Sequence, residues 1–251
     1  MSRLNGTRVL ITGGTSGLGL AMARALCQAG ARVAVTSRDR LRAERVADEL
    51  GDRALAVELD VRSESSVTLG VEQTVARLGG IDMLVNNAGV GMRTVNARFM
   101  TDPQPFWNVS PAGFRDVFET KATGCFLMTR AVVPTMLEHG SGRIVNISMN
   151  EQTMVRRGFI PYGPSGAAVE ALSRVMAADL LETPITVNLL LPGGATNTGM
   201  VPDDVPADVR RGLLDPAIMG PPIVWLASDD AAGLHDQRIV AAEFERWLAD
   251  R

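Results

Sequence analysis

Three short stretches of this sequence hold residues whose types and spacing suit chemistry. The first is Thr12-Gly13-Gly14-Thr15-Ser16-Gly17-Leu18-Gly19, four glycines in eight residues. Glycines permit a tight turn, let a pyrophosphate approach the backbone, and let a helix pack close to a sheet. A helix opening there adds free N–H groups and a partial positive charge, which together hold phosphates. The second stretch is Tyr162-Gly163-Pro164-Ser165-Gly166, which contains the chain's only tyrosine. The third is Lys121, the only lysine beside 24 arginines. It continues a stripe of Phe114, Val117, Phe118, Cys125 and Met128 at three- and four-residue spacing. A lysine on such a face is costly unless it is paired or functional. The plainer alternative is a packed stem with its ammonium snorkelling to water.

The elements that must position these residues follow from hydrophobic periodicity. Thr7–Thr12 is a β-rich run, and Leu18–Ala29 is helical up to Gly30. Strand patterns recur at Arg32–Thr36, Ala54–Leu59 and Ile81–Asn86, separated by helical patterns at Arg40–Leu50 and Ser65–Leu78. This alternation predicts βαβ units and a parallel sheet with right-handed crossovers. The strands are near-continuous apolar runs, as expected where both faces are covered. Gly89 to Pro111 is irregular and too long for a simple connection, so it reads as an insertion or lid. A long helix is predicted over Phe114–Glu138, a strand over Arg143–Ile147 and a helix over Tyr162–Leu181. A strand over Ile185–Leu191 ends at Pro192-Gly193-Gly194. A further helical region ends near Leu226, and Arg238–Ala242 reads as a last short strand.

The glycine loop lies between the first strand and the first helix, the context of a dinucleotide cradle. Its Thr-Gly-x-x-x-Gly-x-Gly spacing resembles that of the short-chain dehydrogenases/reductases. Other matches run along the whole chain. Asp60-Val61 resembles the family's adenine-contacting pair, and Asn86-Asn87-Ala88-Gly89 its sheet-centre motif. Tyr162 sits in the active-site tyrosine motif, and Pro192-Gly193 matches the segment that closes over the nicotinamide. The resemblance implies a Rossmann-like, doubly wound α/β fold with about seven parallel strands. With no internal repeat or linker, the chain is expected to form a single domain over residues 1–251.

The resemblance also implies roles. A tyrosine exchanges the proton while hydride moves to or from the nicotinamide, and a serine hydrogen-bonds the substrate oxygen. A lysine four residues after the tyrosine holds the cofactor ribose and lowers the tyrosine pKa. An asparagine on the preceding long helix supports a proton relay through water. This chain keeps Tyr162 but has Gly166 at the lysine position. The serine is expected near Met149-Asn150-Glu151, and strand alternation leaves open whether Ser148 or Asn150 faces the site. Lys121 occupies the asparagine position. One lysine lost and one gained suggests that Lys121 reaches the space vacated at Gly166 and supplies the cation. Free tyrosine titrates near ~10, so a neighbouring cation matters at neutral pH.

The end of the second strand bears on cofactor choice. An acidic residue there accepts from the ribose 2′-OH and repels a 2′-phosphate. Here Ser37 and Arg38 stand instead, and a guanidinium pairs with phosphate through two hydrogen bonds, so NADP is expected. The expected cofactor contacts are Gly13, Thr15, Ser16, Gly17, Leu18, Gly19, Ser37, Arg38, Asp60, Val61, Asn87, Ala88, Gly89, Tyr162, Pro192 and Gly193. Thr196 and Thr198 are added as contacts to the nicotinamide amide or the diphosphate. The segment Met92–Trp107, with Phe159 and Met200, reads as an apolar pocket wall suited to a hydrophobic ketone.

Composition bounds the remainder. A net charge of −3 argues against a nucleic-acid partner. No apolar run approaches the ~20 residues needed to span a bilayer. No Cys/His cluster has metal-ligand spacing; Cys27 and Cys125 read as buried free thiols of a reducing compartment, and a first strand near Arg8 leaves no room for a signal peptide, so the cytoplasm is the expected location. The expected function is NADP-dependent interconversion of a small carbonyl and an alcohol by a homodimer or homotetramer. The alternative is a catalytically impaired NADP-binding protein.

Overall fold

The computed structural model describes residues 4–251. Seven parallel strands form one sheet in the order β3-β2-β1-β4-β5-β6-β7. They are β1 (Arg8–Ile11), β2 (Arg32–Ser37), β3 (Ala54–Glu58), β4 (Met83–Asn86), β5 (Gly142–Ile147), β6 (Ile185–Leu191) and β7 (Arg238–Val240). Alternate residues of β1 enter different layers of core. Val9 and Ile11 pack with Met22 and Leu26, while Leu10 packs with Leu84, Met128 and Ile144. Both faces are therefore buried, which is why the strands read as unbroken apolar runs.

The helices α1 (Gly17–Gln28), α2 (Arg40–Leu50) and α3 (Glu64–Leu78) alternate with the first strands as expected. Strand order reverses between β1 and β4, whose registers pair Val9 with Met83 and Ile11 with Val85. Connections leave that point in opposite directions, so a crevice opens at the strands' carboxyl ends. The glycine loop and Asn87-Ala88-Gly89 both lie there.

The predicted single helix from Phe114 is three pieces: α4 (Pro111–Phe118), a π turn (Glu119–Thr123) and α5 (Gly124–His139). Ser110 caps α4 by accepting from Gly113 N at 3.1 Å, with Pro111 at the first helical position. The Thr120 hydroxyl donates to Asp116 O one turn back at 2.7 Å, a bond that loosens helices. An extra residue in a turn rotates the flanking faces by about 100°. The buried stripe nevertheless continues across the turn and loses only its first member. Val117, Lys121, Cys125 and Met128 are buried, but Phe114 is exposed and stacks on Phe118, with ring centroids 4.7 Å apart.

Three short helices were not anticipated as separate elements: α6 (Glu151–Met154), α8 (Ala207–Arg211) and α10 (Phe244–Ala249). Two remain from the expected set, α7 (Tyr162–Asp179) and α9 (Gly220–Ala227). The last strand stops at Val240, two residues earlier than expected, because a single 3-10 turn at Ala241–Glu243 leads directly into α10. Among the described residues no helix is long and apolar enough to cross a membrane.

Candidate active site

The cradle is built from β1, α1 and the end of β4. Thr12 joins them: its hydroxyl oxygen accepts from the Asn87 and Ala88 backbone N–H groups, each at 2.9 Å. The Asn87 side chain returns Nδ2 to the carbonyls of Thr12 at 2.9 Å and Gly13 at 3.1 Å. Gly13 N donates to Thr36 Oγ1 of β2 at 3.2 Å. Gly13 and Gly17 have φ of +62° and +51°, a region that disfavours side chains. A Cβ at Gly19 would come within 2.4 Å of Gly13 O, so only glycine lets α1 pack this close to the loop.

The structure bears on whether this loop fits a dinucleotide. Asp39 and Ser63 cap α2 and α3 with their side chains, whereas Ser16 makes no such bond at the start of α1. The first turn of α1 also lacks an acidic residue. Thr15, Ser16, Gly17 and Leu18 therefore present uncapped N–H groups and a positive helix end, which fit a pyrophosphate. Thr198 crosses over the loop, its methyl 3.2 Å from where a Gly17 Cβ would lie. Thr196 lies nearby in an isolated bridge to Leu214.

At the end of β2, Ser37 Oγ accepts from Asp39 N at 3.1 Å. Asp39 uses its carboxylate to accept from Arg42 N at 3.0 Å, leaving Arg38 as the exposed charge at the strand end. Asp60 is held by Arg62 through Nε at 3.0 Å and Nη2 at 2.8 Å, and Arg62 also reaches Asp116 at 2.6 Å. Hydrogen bonding from Arg62 keeps the Asp60 carboxyl below its ordinary value. Val61 packs against the start of α5, its Cγ2 2.7 Å from where a Gly124 Cβ would stand.

Lys121 and Tyr162 come together. The ammonium lies 5.4 Å from the centroid of the Tyr162 ring, within cation–π range. Lys121 is 8% exposed and makes no ion pair among the described residues. Burial lowers its pKa from 10.5 to about 8, opposed by the neighbouring Cys125 sulfur. Burial pushes the Tyr162 phenol up, so it holds its proton near neutral pH. The π turn brings this lysine to α7 where it meets Tyr162.

The side chain nearest Gly166 is that of Met149. A Cβ there would meet Met149 at 2.6 Å from Cε and 2.8 Å from Sδ. The expected place of Lys121 near Gly166 is thus shared with Met149, whose side chain is the nearest to that glycine. The thioether is flexible and fits irregular gaps, so it fills the place while the ammonium lies on the tyrosine ring. Ser148 donates to Glu170 Oε1 at 2.6 Å, and Arg238 donates to the same oxygen at 2.9 Å. Asn150 Nδ2 donates to Gly193 O at 2.9 Å, tying the end of β5 to Pro192-Gly193.

Met92, Phe99 and Phe159 form a small buried cluster against Tyr162, with Phe99 and Phe159 edge to face at 5.4 Å. Phe106 and Trp107, read in sequence as part of the same wall, are 64% and 72% exposed and pair with each other at 5.2 Å. They lie in a 3-10 turn (Phe106–Asn108) at the far end of the insertion. Met200 packs on Gly91, so the two irregular segments meet across the site. Arg93, missed in the sequence, fastens them. It donates to Gly199 O at 3.1 Å, Val201 O at 3.2 Å and Asp203 Oδ2 at 2.8 Å. No local pattern marks that residue, because its partners are more than a hundred positions away.

Comparisons with known proteins agree with this architecture. The family model described as short chain dehydrogenase matches residues 7–208. A 2,5-dichloro-2,5-cyclohexadiene-1,4-diol dehydrogenase of Sphingobium indicum is 31% identical over 240 residues, covering 92% of each protein. A 3-oxoacyl-(acyl-carrier-protein) reductase of Vibrio cholerae is 30% identical over 236 residues, 91% of this chain and 93% of that protein. The crystal structure of 3-ketoacyl-(acyl-carrier-protein) reductase from Brucella melitensis, complexed with NADH, superposes with a TM-score of 0.83 at 30% identity. The match covers 94% of this chain and 97% of that one.

Proposed function

This chain belongs to the short chain dehydrogenases, oxidoreductases that act on CH–OH and C=O groups and use a nicotinamide dinucleotide, and on that premise we propose that it is an NADP-dependent carbonyl reductase in which Tyr162 is the acid/base and Lys121 the neighbouring cation. The dinucleotide, when bound, supplies or accepts the hydride. Gly13, Thr15, Ser16, Gly17, Leu18 and Gly19 hold its diphosphate, and Asn87, Ala88 and Gly89 line the crevice beside it. Asp60 and Val61 flank the adenine. Pro192, Gly193, Thr196 and Thr198 cover the nicotinamide side.

Tyr162 donates its proton to the carbonyl oxygen as the alcohol forms. Its raised pKa favours this reductive direction, since a general acid must be protonated at working pH. Lys121 is mostly an ammonium at neutral pH, and its charge favours the phenolate left on Tyr162. Asn150 steadies the covering segment through Gly193, and Ser148 fixes the end of β5 through Glu170. Met92, Phe99 and Phe159 exclude water and favour an apolar ketone or aldehyde. The protein works as a soluble homodimer or homotetramer of single domains in the cytoplasm.

One observation carries the preference for NADP. The first carboxylate after the end of β2, Asp39, is committed to capping α2, and Ser37 and Arg38 offer a hydroxyl and a guanidinium. The test is consumption of NADPH and NADH over a broad panel of aldehydes and ketones, with wild type and Arg38→Ala. NADPH is expected to be preferred, and Arg38→Ala to raise its KM about 10- to 100-fold while leaving that for NADH unchanged. Equal use of both dinucleotides by wild type defeats the NADP reading. Tight NADPH binding without turnover across the panel supports the impaired binding protein instead.

A further inference from the structure

The centre of the sheet holds a chain of polar side chains whose direction is fixed at one end. Ser173 donates its hydroxyl to Val169 O, one turn back in α7, at 2.7 Å. Its oxygen therefore accepts from Asn146 Nδ2 at 2.8 Å, which makes Asn146 Oδ1 an acceptor. That oxygen receives Asn86 Nδ2 at 2.8 Å and the Cys125 thiol at 3.4 Å. Asn86 gives its second N–H to Thr129 Oγ1 at 3.0 Å. The amide of Asn86 is thereby oriented by a backbone carbonyl two residues away in the network. Its Oδ1 is left without a hydrogen-bond partner among the described residues, in a side chain only 6% exposed. Buried carbonyl oxygens are nearly always bonded, and an exception calls for a partner.

The ammonium of Lys121 poses the complementary problem. It carries three donors, and the group it meets is the face of the Tyr162 ring. Asn86 and Lys121 line the same small cavity, of about 10 Å³, together with Thr12, Ala88, Thr120 and Cys125. That is just room for one water, Val61, Ile147 and Val169 close its apolar side, and Lys121 Nζ and Asn86 Oδ1 are the two polar partners such a water needs.

We propose that this cavity binds one water molecule, which accepts from Lys121 Nζ and donates to Asn86 Oδ1, so that Asn86 is a positioning residue for the lysine ammonium. The ammonium is then anchored to β4 at the sheet centre, and the amide dipole presents its negative end toward the charge. The titratable groups that face Lys121 are Cys125 from α5 and Tyr162 from α7. Burial pushes the thiol up to about 12 and raises the phenol, so neither changes charge as the lysine titrates near 8. This refines the role given to Lys121 above, and its test reads the ammonium rather than turnover, so either reading can fail alone.

Because the chain has one lysine, labelling with ε-¹³C-lysine gives one side-chain signal from these 251 residues. Its midpoint is followed in wild type, Asn86→Asp and Asn86→Leu. Asn86→Asp places a carboxylate where the carbonyl was and raises the midpoint by about one unit or more. Asn86→Leu removes the acceptor and lowers it by about one unit. Midpoints that stay put, or that move the same way in both variants, overturn the proposal. If Asn86→Leu does not fold, a high-resolution crystal structure of wild type decides. A water within about 3.2 Å of both Nζ and Oδ1 supports the site. An empty cavity, or an Nζ bonded elsewhere, rejects it.

Discussion

An ammonium that is 8% exposed and lacks an ion pair lowers the stability of the fold that buries it. Lys121→Met keeps the stem and removes the charge. Turnover is expected to fall about 10²- to 10⁴-fold, the usual range for groups that assist proton transfer. Stability at pH 7 is expected to rise by about 1–3 kcal/mol, a few degrees in Tm. The pH dependence has a definite sign. The native pKa of about 8 lies below the ordinary 10.5, so between these values the native state binds fewer protons than the unfolded one. Wild-type stability therefore gains from Lys121 deprotonation as pH rises from about 8 to 10.5, and the full penalty applies below 8. Denaturant melts of both proteins at pH 7 and pH 10 check this: the advantage of the variant shrinks at the higher pH. Tyr162 and Lys121 were legible in the sequence because each is unique and falls in a recognisable pattern. Met149 was not. Its packing on Gly166 is a contact between residues seventeen positions apart, and a thioether filling a gap leaves no periodic trace.

At the scale of elements, the βα alternation and the glycine loop were readable because strand and helix periods differ and glycine punctuates them. The π turn was hidden because the buried stripe runs through it unbroken from Val117 to Met128. The two irregular segments over the site were recognisable as loops, but not their connection through Arg93. The ion pair to Asp203 is mostly exposed and contributes little, whereas the bonds to two backbone carbonyls fix the loop. Arg93→Ala is expected to cost about 1–2 kcal/mol of closure, raising KM for dinucleotide and ketone about 5- to 30-fold in steady-state kinetics. Arg93→Lys should rescue poorly, since a point charge cannot serve both carbonyls and a carboxylate at once. Unchanged KM values in Arg93→Ala would show that the segments close without it.

For the whole molecule, the parallel doubly wound sheet was accessible from the alternation of strands and helices, and its seven strands from the family resemblance, whereas the strand order was not read from the sequence. Assembly is a matter of surfaces, which periodicity describes poorly. Helices α5 and α7 leave Phe126, Leu137 and Val175 exposed, an apolar face consistent with self-association through the helices beside the site. Light scattering of Phe126→Glu is expected to show a smaller species than wild type. A monomeric wild type would remove the basis for that assignment. A final consequence follows from the buried lysine of the π turn. A protease that cuts only after lysine has a single target in this chain, and that target lies inside the fold beneath Tyr162. Cleavage into two fragments must wait for the α4–α5 rod to open, so its rate reports how often the contact between Lys121 and Tyr162 comes apart.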